Sequence, residues 1–152
     1  MKKLIITLTF ALLMGAAFSQ TENDYMEVQR TALKTEKKAI VAEAMQLTEE
    51  ESTVFWPLYN EYNEKMYVIN TKVYDLIKRY ANEYEALTDE QAIALWKESM
   101  KIQNENSKLE GVYFKKFQKI MTGKKVVRYF QTENKIADIV NFQLATEIPL
   151  VD

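Results

Sequence analysis

The chain has 152 residues, with 20 basic and 22 acidic side chains, a net charge of −2, and neither cysteine nor histidine. Those absences exclude a disulfide framework, a thiol nucleophile, the commonest general base and the commonest transition-metal ligand. A carboxylate di-iron centre needs Glu-x-x-His on two helices and cannot be assembled here, and soft metals lack their ligands. No cofactor or metal is expected, and the mild acidity argues against nucleic acid. An enzyme using only carboxylates, lysine or tyrosine is the weaker reading. It would need two acidic side chains converging in a deep pocket.

The first element is Met1-Lys2-Lys3, then an apolar run from Leu4 to Phe18, then Ser19-Gln20. A basic start, a short apolar segment and the small-residue site Ala17-Phe18-Ser19 form an export signal, expected to be cut after Ser19. The run falls short of the roughly 20 residues that span a bilayer, which disfavours an uncleaved anchor. No cysteine follows it, so bacterial lipid attachment is excluded. Residues 20–152 are then a single exported domain, and loss of Lys2 and Lys3 lowers the net charge from −2 to −4. Its glycines are Gly111 and Gly123 alone, which leaves no phosphate-cradling loop.

Few glycines and prolines, many Glu, Lys, Ala, Leu and Met, and no alternating β-branched run predict an all-α fold. Four helices are expected, with two long antiparallel ones at the centre of an elongated hairpin. The first runs from about Asp24, a candidate N-cap, to Gln46. Its apolar stripe is Tyr25, Val28, Ala32, Leu33, Ala39, Ile40, Ala44 and Met45. The second runs from Thr48 to about Tyr84. Its seam, Phe55, Tyr59, Tyr62, Met66, Ile69, Val73, Leu76 and Tyr80, alternates steps of four and three, which keeps one stripe facing a partner helix. Pro57 removes one backbone hydrogen bond and predicts a bend near Trp56-Pro57.

The third helix is expected from Thr88 to about Ile120, with Leu95, Ile102, Leu109, Tyr113 and Ile120 on one stripe. Asn106 falls on that stripe, where it either fixes register or marks a solvated turn. Thr122-Gly123 reads as a stop signal. The fourth helix runs from about Lys124 to Ala145, with Val126, Phe130, Ala137 and Val140 inward, and Pro149 belongs to a tail.

Two segments repeat at a spacing of forty residues: Leu47-Thr48-Glu49-Glu50-Glu51 and Leu87-Thr88-Asp89-Glu90-Gln91, each with a tryptophan at the same offset, Trp56 and Trp96. Both are capping boxes by composition. The threonine hydroxyl accepts from the N–H three residues on, and Glu51 or Gln91 reaches back to the threonine N–H. Glu49, Glu50, Asp89 and Glu90 complement the positive end of the helix dipole. Helix capping alone therefore accounts for both segments.

With the export signal and the helical layout, these segments resemble the LTxxQ family of periplasmic proteins, the family of Spy and CpxP. Leu87, Thr88 and Gln91 match its motif in full. Leu47 and Thr48 match it, while Glu51 stands where the motif has Gln. The resemblance implies a helical hairpin pairing into a thin curved homodimer, which holds unfolded envelope proteins without ATP or restrains a membrane stress sensor. Sequence does not separate these two roles. The family's chaperones are basic and this chain is acidic, which weakens electrostatic steering of acidic clients.

One segment departs from the even charge distribution. Lys115, Lys116, Lys119, Lys124, Lys125 and Arg128 lie between Gly111 and Thr132 with no acidic residue, interleaved with Tyr113, Phe114, Phe117, Tyr129 and Phe130. It reads either as a client-holding patch or as ordinary helix chemistry, with cations at a negative helix end and aromatics in the core. Tyr67, Tyr74 and Tyr84 fall off the seam and are candidates for an exposed aromatic face.

Overall fold

A computed structural model describes residues 34–151. The expected export signal and the Asp24 cap lie outside the described residues. The chain divides into two compact units, Met1–Glu43 and Ala44–Asp152. Helix α1 covers residues 34–45 of the described chain. It buries Val41 and Met45 and leaves Ala39 and Ile40 exposed, so the inward stripe does not include Ala39 and Ile40 as predicted. Gln46 ends α1 with φ 44°, the left-handed conformation in which helices commonly stop.

The second unit is all-α, with no strand among the described residues. Helix α2 is Glu49–Glu83, α3 is Asp89–Phe117 and α4 is Gly123–Glu147, with a 3₁₀ turn at Tyr84–Ala86. Both predicted capping boxes form. The N–H of Glu51 donates to Thr48 Oγ1 at 3.3 Å while that of Thr48 donates to Glu51 Oε2 at 2.9 Å. Gln91 and Thr88 repeat both bonds at 3.3 and 2.9 Å. Changing Thr88 to alanine is expected to cost about 1 kcal/mol, and changing it to glycine only a few tenths, as read by urea unfolding. An equal loss for both would place the effect outside the cap.

Helix α2 spans 35 residues, about 50 Å, and continues through Pro57. The proline is exposed while Phe55 and Tyr59 on either side are buried, so the missing hydrogen bond falls on the solvent side. α2 and α3 are antiparallel. Lys72 pairs with Glu105 at 2.5 Å, Arg79 with Glu98, and Lys116 with Glu61 at 2.8 Å, a constant register along the hairpin.

α3 ends at Phe117 rather than near Ile120, because the N–H groups of Lys119 and Ile120 bond three residues back, to Lys116 and Phe117, and tighten the turn. Gly123 is then the first residue of α4, with no positive φ, and not a stop. α4 returns along α2 in the same direction. Lys125 pairs with Glu51 near the start of α2, and the Tyr80 hydroxyl donates to the Pro149 carbonyl at 2.8 Å near its end.

Candidate functional site

Where the three helices of the hairpin meet, the core is aromatic. Tyr129 lies 4.7 Å from Phe117, 5.2 Å from Phe55 and 5.1 Å from Phe130 between ring centres. Tyr62 lies 4.9 Å from Tyr113, and Phe114 lies 5.3 Å from Phe130. Burial, then the nearby Glu133, pushes the hydroxyls of Tyr59, Tyr62 and Tyr129 far above the usual tyrosine range, so all three stay protonated. Tyr113 is pushed the same way by burial and then by its 2.6 Å hydrogen bond to Glu61.

That core divides the predicted basic, aromatic patch. Tyr113 and Tyr129 are buried and Phe114 is half-buried, so its aromatics belong mainly to the core. Lys116 and Lys125 are committed to Glu61 and Glu51, and Arg128 donates to the Ala44 carbonyl at 3.4 Å. Lys115, Lys119 and Lys124 are exposed. The motif residues Thr48, Glu51, Thr88 and Gln91 are spent on capping, and Leu47 and Leu87 are half-buried. Tyr67, Tyr74 and Tyr84 are exposed, as their positions off the seam predict.

Glu51, Glu61 and Glu105 are held below the ordinary carboxyl value of 4.5, first by hydrogen bonds from Lys125, Lys116 and Lys72 respectively. A lowered folded value means stability that is fully present above the unfolded value and is lost as pH falls through the folded one. The urea midpoint should therefore hold steady from neutrality to about pH 5 and decline below about pH 4.5, modestly because the pairs are exposed. A midpoint that rises on acidification would contradict this assignment.

Val112 and Val127 of the basic, aromatic segment are exposed, but most of the exposed apolar side chains lie outside it. On α3, Ile93, Trp96 and Met100 recur at helical spacing and are 55, 67 and 55 % exposed. On α4, Ile139 and Phe142 are 62 and 71 % exposed. Ala137 and Val140, predicted to face inward with Val126 and Phe130, are exposed, so the inward stripe of α4 is covered only in its first half. The unequal fate of the repeated tryptophans marks the same region. Trp56 packs edge-on against Phe55 and Tyr59 at 5.0 and 5.2 Å, whereas Trp96 faces solvent. The signal was the run 93, 96 and 100, an apolar stripe displaced from the seam.

A groove of about 490 Å³ lies between α2 and α3, lined by Val68, Ile69, Leu109 and Val112 with Lys65, Lys108 and Glu105. Among the described residues, no group of three or more acidic side chains is placed to hold a metal ion, and no helix is long and apolar enough to cross a membrane. The fold and these surfaces define the class, an all-α helical hairpin with exposed apolar faces. No protein-family model, no curated protein and no solved structure matches the chain.

Proposed function

We propose that this chain is an exported, ATP-independent chaperone-like protein of the LTxxQ type, which holds unfolded or misfolded envelope proteins. The observation that carries the reading is the exposed apolar surface of α3 and α4, with Trp96 and Phe142 at 67 and 71 % exposure. Exposed apolar side chains recurring at helical spacing, as Ile93, Trp96 and Met100 do on α3, are characteristic of interaction surfaces. An aromatic body with rotatable aliphatic neighbours such as Met100 also adapts to unlike partners. The capping boxes and the hairpin layout support the family likeness.

Self-association belongs to the same proposal, since a second copy would cover part of that surface. A sedimentation coefficient of a monomer at micromolar concentration would count against the dimer.

The test is light scattering from a chemically unfolded client mixed with the purified exported chain, without ATP. Suppression near equimolar ratio supports the reading. Failure with several unlike clients would transfer the surface to a single dedicated partner, such as the sensing domain of an envelope regulator.

A further inference from the structure

We propose that the groove between α2 and α3 is a docking site for an acidic amphipathic helix, separate from the Trp96–Phe142 surface. The proposal rests on the reading of the chain as an interaction protein and specifies one kind of segment that it takes. Two antiparallel helices leave a furrow along each side of their seam. On one side α4 fills the furrow with Tyr129 and Phe130, packed on Phe55, Tyr62, Phe114 and Phe117. The other furrow is floored by Ile69 and Leu109 and walled by Val68 and Val112, which are 56 and 52 % exposed. An apolar furrow beside a helical seam is the shape that receives one face of a third helix.

Charge identifies the helix. Basic residues repeat every seven positions on both walls, at Lys65, Lys72 and Arg79 on α2 and at Lys101, Lys108 and Lys115 on α3. Lys65 and Lys108 line the furrow, and seven-residue spacing keeps the rest of each row on the same face of its helix. Lys72 and Arg79 are engaged by Glu105 and Glu98 across the hairpin. Lys65, Lys101, Lys108 and Lys115 are exposed and form no ion pair among the described residues. Glu105 is held below the ordinary carboxyl range by Lys72 first, with Lys101 and Lys108 adding to the effect, which places three cations around one acid at the groove. The acids on these faces, Glu61, Glu98 and Glu105, are paired with Lys116, Arg79 and Lys72, and Asp75 and Glu83 act on Arg79 toward the far end of α2, so the unpaired charge beside Val68 and Val112 is that of the lysines.

In a chain with more acidic than basic residues, this concentration of unpaired lysines beside an apolar furrow selects an opposite charge. The fitting partner is a helix of about sixteen residues, roughly 24 Å, with apolar anchors at heptad spacing and Glu or Asp on both flanks.

A fluorescein-labelled peptide of that pattern, titrated with the purified exported chain and read by anisotropy, tests the assignment. Saturable binding is expected, weakened at least about tenfold by Lys65→Glu with Lys108→Glu and also by raising salt from about 50 to about 500 mM. Circular dichroism establishes that the double variant is folded, and the milder Lys65→Gln, Lys108→Gln pair provides a second variant. No binding, unchanged affinity in the variants, or equal affinity for a peptide with Lys in place of Glu overturns the proposal. So does conversion of a dimer to a monomer by the same substitutions, which would assign the groove to a second copy. The result is independent of the light-scattering assay: a peptide can bind here although no unfolded client is protected.

Discussion

Phe117→Ala will lower the free energy of unfolding by about 3–5 kcal/mol. Phe117 is fully buried and its ring lies 5.5 Å from Phe55, 4.7 Å from Tyr129 and 5.9 Å from Phe130. It joins α3 to both α2 and α4. Truncation leaves a cavity bounded by three stiff rings, which relax little to fill it. Domains of this size carry only about 5–15 kcal/mol in total, so the variant should sit close to its unfolding limit at room temperature. Urea denaturation followed by circular dichroism measures the effect. Phe142→Ala, at an equally large but exposed ring, is the comparison and should stay within about 0.5 kcal/mol of the parent. Similar losses for the two would mean that the aromatic cluster is not the core.

The second large effect is on binding. Trp96→Ser combined with Phe142→Ser should leave the urea midpoint nearly unchanged and raise the concentration needed for half-suppression of client aggregation at least about tenfold. The two side chains bury little in the folded chain, so their removal costs little stability. Hydroxyls in their place withdraw the apolar area that an unfolded segment would cover. Undiminished suppression by a folded double variant would remove this face from the proposed function. A variant with impaired suppression and an equally lowered midpoint would point to unfolding as the cause. The peptide titration at Lys65 and Lys108 separates the groove from this face, because the two sites share no residue.

Much of the hairpin was legible because its signals are local. A threonine followed three residues later by Glu or Gln states where a helix begins, and Thr48-Glu51 and Thr88-Gln91 form the bonds that spacing allows. The alternating seam of α2 identifies Phe55, Tyr59, Tyr62 and Ile69 as buried, since four- and three-residue steps keep one face turned toward a partner. The same logic misplaced the inward stripe of α1. Ala39 and Val41 are both apolar, and over a short helix the pattern does not choose between phases. The stop read at Thr122-Gly123 failed for a related reason: Gly123 has helical φ, and the preceding turn had already closed through backbone bonds that side-chain identity does not announce.

The candidate surfaces were the least legible part. The basic, aromatic segment from Tyr113 to Tyr129 drew attention through composition, yet the fold turns its rings into core and commits Lys116 and Lys125 to carboxylates on α2. Those carboxylates are dozens of positions away in sequence. The rows at 65, 72, 79 and 101, 108, 115 were visible as numbers, but they acquire meaning only when antiparallel α2 and α3 bring Lys65 and Lys108 to one furrow.

Composition, caps and periodicity settled the helical class and the starts of α2 and α3, because each depends on residues within one or two turns of each other. Tertiary structure alone decided whether anything stands opposite an apolar stripe. Phe130 and Val140 occupy the same predicted face of α4, but Phe130 is buried by Tyr62, Phe114 and Phe117, whereas Val140 is 45 % exposed. Periodicity orients a side chain relative to its own helix axis, and burial requires a second helix at packing distance.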